Sequence, residues 1–178
     1  MRILGIDPGL NTTGYGVIDA QGRDLTLVEA GVVRGTSGKS LAHRVGEIYA
    51  GVAEVVEALK PDALSLEELY SHYERPKTAI LMGHARGVIV LAATQAGVPV
   101  AHYAATQIKK TLTGNGRAPK AQMQQAVQAE LRLTAAPDPP DVADALAIAM
   151  THWYLGCRPS AIGSRQDCVD SKPTADGQ

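Results

Sequence analysis

The chain reads as an α/β protein whose single mixed sheet is covered by helices on both faces. Three features carry that reading. Extended apolar runs crowd the first 34 residues, a three- and four-residue apolar period sets in from Ser40, and from Ala63 onward strand-like and helix-like segments alternate. Hairpins first and strand–helix units afterwards imply antiparallel and parallel pairing within one sheet.

Element by element, Arg2 to Asp7 is an apolar run closed by an acid and followed by the turn-forming Pro8 and Gly9. Thr13 to Asp19 alternates around glycines and Leu25 to Arg34 is rich in valine and leucine, so with Asn11, Gln21 and Gly22 as punctuation the three segments suggest a meander of hairpins. Leu41, Val45, Ile48, Val52, Val55 and Leu59 then mark an amphipathic helix ended by Pro61. A fourth strand is expected over Ala63 to Leu69, a long helix from about Lys77 to Gln95, and a short strand around Val98 to His102. In the long helix Gly83, Ala85 and Gly87 leave little bulk, which lowers helix propensity but lets another helix approach closely. Helices over Thr106 to Leu112 and Lys120 to Leu131 flank the Gly114-Asn115-Gly116 turn. Pro137, Pro139 and Pro140 form a stiff approach to a last helix, Asp141 to Leu155, with Val142, Ala145, Leu146, Ala149 and Trp153 as its buried stripe. One domain over residues 1–156 is expected, with 157–178, poor in apolar residues, as a mobile tail.

At 178 residues, 45% hydrophobic and 20% charged, the chain has the composition of a globular domain that needs no staples. Met-Arg runs straight into a strand-like segment with no cleavable signal pattern, and no apolar stretch is long enough to span a bilayer, so a cytoplasmic protein is expected. Cys157 and Cys168 lie at or beyond the last helix and suggest neither a disulfide framework nor a zinc site. A net charge of −1 does not announce a nucleic-acid binder. Any such surface must be local, and Lys109, Lys110, Arg117 and Lys120, with no acid among them, supply one; solvated loop charge is the ordinary alternative.

The chemistry lies in four acids. Asp7 and Glu67 stand at or near strand ends, while Asp141 and Asp144 open a helix, and such positions can converge on one cleft. Each has an ordinary role: Asp-Pro-Gly is a common turn, and acids in a first helical turn complement free N–H groups and the macrodipole. Glu67 is harder to explain this way, because an acid in an apolar strand must be paired or metal-bound to escape its desolvation cost. Its neighbour Glu68 faces the other side of the sheet, and alternation alone does not choose between them. Together the acids fit a hard-metal site, where two divalent ions activate a water, hold a phosphodiester and stabilise the departing oxyanion. No G-x-x-x-x-G-K-[ST] loop, G-x-G-x-x-G, G-x-S-x-G or paired C-x-x-C is present. His43, His72, His84, His102 and His152 are scattered; His72 alone falls in the loop after Glu67.

Gly5-Ile6-Asp7-Pro8-Gly9, Thr13-Gly14-Tyr15-Gly16-Val17-Ile18, Leu66-Glu67, Gly83-His84-Ala85-Arg86-Gly87 and Asp141-Val142-Ala143-Asp144-Ala145-Leu146-Ala147-Ile148-Ala149 occur in order from Met1 to about Trp153. As an ordered set they resemble the RuvC family of bacterial Holliday junction resolvases. The resemblance implies a ribonuclease H-like fold and a homodimer that nicks two strands of like polarity across a four-way DNA junction, leaving 5′-phosphate and 3′-hydroxyl ends. It implies two Mg²⁺ or Mn²⁺ ions per site on Asp7, Glu67, Asp141 and Asp144, which selects Glu67 over Glu68. DNA-contacting roles fall on Lys109, Lys120 and Tyr70, the last at a base-stacking position usually held by Phe, which this chain lacks entirely. RuvA and RuvB, a branch-migration motor, are the implied partners, and the small-residue helix is the candidate dimer interface. Weighed against it are an actin-like or sugar-kinase ATPase, for which the chain is too short, a nuclease of the same fold on another nucleic acid, and a junction-binding module without catalysis.

Overall fold

The computed structural model describes residues 1–68 and 76–157. Its core is a five-stranded sheet in the order β3-β2-β1-β4-β5. Strands β1 (Arg2–Asp7), β2 (Thr12–Gln21) and β3 (Asp24–Arg34) form the expected antiparallel meander, while β4 (Ala63–Glu67) and β5 (Val100–Tyr103) add in parallel. Between and after them run α1 (Leu41–Leu59), α2 (Pro76–Gln95), α3 (Ala105–Thr113), α4 (Lys120–Glu130) and α5 (Pro140–His152).

Strand alternation divides the interior into two cores. Ile3 and Ile18 face Leu146, Ile148 and Met150 of α5 together with Ile108 and Met123 from α3 and α4. Leu4, Ile6, Val17, Leu64 and Leu66 face Ile48 and Val52 of α1 and Ile89 of α2. Adjacent residues such as Ile3 and Leu4, both fully buried, thus serve opposite helical layers, as the period of two requires.

Local chemistry sets the boundaries. Ser40 Oγ accepts from the His43 N–H at the start of α1, and Lys60 ends the helix in the left-handed region, at φ 47°, before Pro61. Helix α5 lies unusually close to the sheet because glycines on β1 and β2 face it. A Cβ on Gly5 would stand 2.1 Å from the Ala145 carbonyl oxygen, and one on Gly16 2.5 Å from Leu146 Cδ2.

Several boundaries differ from the sequence reading. Strand β4 stops at Glu67, where pairing with β5 ends, so Glu68 is already outside the strand; Leu69, Tyr70 and His72 lie outside the described residues. Helix α5 ends at His152 and widens into a π-helical turn, Trp153–Cys157, so the helical run expected to Leu155 changes its winding at Trp153. In α2, Ala85 is fully buried, whereas a Cβ on Gly83 or Gly87 would meet nothing within 4 Å, so the small residues do not share one face. Residues 158–178 fall outside the described set. Among the described residues no helix is long and apolar enough to cross a membrane.

Candidate active site

Asp7 is the last residue of the central strand and pairs with Gly14 of β2. Alternation from Ile3 and Gly5 directs its side chain to the α5 face. The turn behind it is pinned by Thr13, wholly buried, whose hydroxyl donates to the Gly9 carbonyl at 2.7 Å and accepts from the Gly9 N–H at 3.3 Å. Parallel pairing of Ile6 with Leu66 sets Glu67 beside Asp7 on the neighbouring strand, and on the same face, because Leu64 and Leu66 belong to the opposite core. Asp141 and Asp144 lie in the first turns of α5, and a Cβ on Gly14 would stand 2.2 Å from the Asp141 carbonyl oxygen. The close seating of α5 on glycines therefore brings its N-terminus over the ends of β1 and β4.

The charges register this convergence. Burial pushes the Asp7 carboxyl up to about 7 from an ordinary 3.8, with Asp144, Glu67 and Asp141 adding to the rise and Lys120 opposing it. Glu67 is raised too, by burial first and Asp144 second, against Lys109 and Arg86. Lys120 Nζ lies 2.8 Å from Asp144 Oδ2, and that hydrogen bond holds the ammonium above its usual proton affinity. Glu67, Lys109, Lys120 and Asp144 line a cavity of about 220 Å³ floored by Ile108 and Met123.

Oxygen-only donors in a half-buried cleft with excess negative charge suit hard divalent cations. Among the described residues no three potential ligands are already gathered around one point. Mutual repulsion opposes closer approach, and Lys120 supplies part of the missing positive charge. Asp141 lies in the first turn of α5, where its charge also complements the macrodipole, whereas the Asp144 carboxylate is engaged by Lys120.

Of the four acids foreseen from sequence, Glu67 and Asp144 line the cavity with Lys109 and Lys120 of the basic run, while Asp7 and Asp141 stand close enough for Glu67, Asp141 and Asp144 to act on Asp7 together. Lys110 and Arg117 are exposed and do not line the cavity. Tyr70 lies outside the described residues. Two contributors were not foreseen: Thr13, quoted only within a glycine-rich strand, and Arg86, quoted within Gly83–Gly87 without a chemical role. Neither produces a periodic or spacing signal of its own; their significance is a matter of which strand ends they reach.

A family model described as Crossover junction endodeoxyribonuclease RuvC matches residues 3–152. The protein of that name from Rhodopirellula baltica is 57% identical over 157 residues, covering 88% of each chain. Among solved structures, Thermus thermophilus RuvC superposes with a TM-score of 0.80 at 38% identity, covering 86% of this chain and 94% of that one. The same protein in complex with Holliday junction substrate gives a TM-score of 0.79 at 36% identity, with the same coverage.

Proposed function

Because the chain belongs to the RuvC family of crossover junction endodeoxyribonucleases, we propose that its acid cleft resolves four-way DNA junctions by paired, symmetric phosphodiester hydrolysis in recombination and repair. The observation that supports this reading is that Asp144, Glu67 and Asp141 all act on the buried Asp7 carboxyl, beside a cavity lined by Glu67, Asp144, Lys109 and Lys120. Asp7, Glu67, Asp141 and Asp144 would hold two Mg²⁺ or Mn²⁺ ions, which when bound would supply activation of the attacking water and neutralisation of the departing 3′-oxygen, leaving a 5′-phosphate. Lys109 and Lys120 bind the DNA backbone on the α3 and α4 side, orienting the scissile phosphate over Asp7 and making affinity fall with salt. Tyr70 stacks on a base at the junction centre.

A homodimer completes the reading, since two clefts related by a two-fold axis match a junction of similar symmetry. The outward face of α2 is the interface that fits: Ile80 is 61% and Leu91 47% exposed, with Gly83 and Gly87 between them leaving room for a second backbone. The protein acts in the cytoplasm as a nuclease domain over residues 1–156, receiving junctions from the RuvA and RuvB branch-migration complex.

The deciding experiment offers four-way junctions, linear duplex and RNA–DNA hybrid to the protein with Mg²⁺ or Mn²⁺. Preferred, paired cutting of the junction is expected. Asp7→Asn should bind the junction and not cut it; undiminished cutting by that variant, or equal cutting of linear duplex, refutes the assignment.

A further inference from the structure

Strand β5 is only four residues long and forms the edge of the sheet, yet it is what supports the end of β4 that carries Glu67. Glu67 pairs with Tyr103, and the Glu68 N–H donates to the Tyr103 carbonyl at 2.8 Å. Short edge strands fray unless something holds them. Here consecutive side chains point to opposite faces, and each is seized by a polar group from the helical layer on its side. On the α2 face Arg86 Nη2 donates to His102 Nδ1 at 3.0 Å. On the α5 face Tyr103 Oη and His152 Nδ1 share a buried hydrogen bond of 2.7 Å, with the two rings edge-to-face.

We infer that Arg86, holding His102, and His152, holding Tyr103, form a two-sided clamp on β5 that fixes the position of Glu67 in the cleft, making Arg86 and the Tyr103–His152 pair positioning residues for the nuclease. Arg86 sits between α2 and the sheet with Nη1 buried and lacking a partner among the described residues, an arrangement that packing for stability alone does not favour. Its charge acts on Glu68 and Glu67, whose backbone leaves the strand at this point. Glu67 is thus held through its backbone from the far side of the sheet, and its carboxylate is left available to the cleft. Loss of either arm lets β5, and with it the β4 end, move by fractions of an ångström that metal ligation does not tolerate.

This inference rests on the reading of Glu67 as a metal ligand, so Glu67→Gln is the companion control. Amide hydrogen exchange on the metal-free full chain should show the Glu68 N–H exchanging at least about tenfold faster in Arg86→Ala and in Tyr103→Phe, with β1 and α1 amides unchanged. In Mn²⁺ the same variants should cut saturating junction at least about tenfold more slowly and need several-fold more Mn²⁺ for half-maximal rate, with metal-free junction affinity retained. Arg86→Lys should fall between, and it carries the test if Arg86→Ala does not fold. Parental exchange and parental Mn²⁺ dependence overturn the clamp; weaker junction binding at unchanged turnover overturns it also, by making Arg86 a DNA contact. Normal cutting by Glu67→Gln sinks the ligand reading itself, whereas an inactive Glu67→Gln beside fully active Arg86→Ala and Tyr103→Phe sinks only the clamp.

Discussion

Lys120 Nζ stands 2.8 Å from Asp144 Oδ2, so the first residue of α4 is bonded to a candidate metal-binding acid on α5. The ammonium stabilises a crowded set of carboxylates, and in the proposed function it also meets a DNA phosphate. Lys120→Ala should therefore lower junction cleavage at least about tenfold and reduce the slope of log affinity against log salt by roughly 0.9, the value for one phosphate contact. Measurement of junction affinity from 50 to 200 mM salt checks it, and an unchanged slope denies the DNA contact.

Asp7 gives the cleft a pH signature. A carboxyl pushed up to about 7 holds a proton in the folded protein that the unfolded chain releases near 3.8, so stability contributed by this group falls as pH rises between those values. Metal-free protein should lose roughly 1–4 kcal/mol through Asp7 between pH 4 and pH 8. Urea denaturation across that range should show this fall with rising pH disappearing in Asp7→Asn, and Mg²⁺ restoring stability to the parent at pH 8.

His152 produces the opposite trend. Burial holds its imidazole below the ordinary 6.5, so the unfolded chain binds the extra proton first and stability is lost as pH falls through that value. The slope is at most about 1.4 kcal/mol per pH unit. It is best measured in the Asp7→Asn background, where His152→Gln should flatten it.

Gly14 tests the seating of α5. A methyl group there would meet the Asp141 carbonyl oxygen at 2.2 Å and its carbonyl carbon at 2.5 Å, both backbone atoms that cannot rotate away. Gly14→Ala should cost about 1–3 kcal/mol of stability and displace Asp141 enough to slow cutting more than tenfold. Parental activity in the variant contradicts the placement of α5.

Ile80→Glu combined with Leu91→Glu should yield a folded monomer, since both side chains are exposed on α2 and neither belongs to either core. Sedimentation velocity reads the change of state, and paired incision of one junction should be lost with it. A dimer that survives both charges places the interface elsewhere.

What the sequence determined by itself is local chemistry and its periods. The strand–helix order follows from apolar alternation in β1 to β3 and the three- and four-residue recurrence in α1, and an acid at the end of an apolar strand is conspicuous because burying it unpaired is so costly. Even so, alternation left Glu67 and Glu68 undecided, and it carried β4 past Glu67, because where pairing stops depends on a neighbour the local pattern does not contain. Only the tertiary structure decided that Leu66 pairs with Ile6, that α5 rests on Gly5 and Gly14, and that Arg86 and His152 grip opposite faces of β5. Those relations join residues tens of positions apart in the chain, and they arise from register and close packing, which fix distances that no stretch of sequence encodes alone.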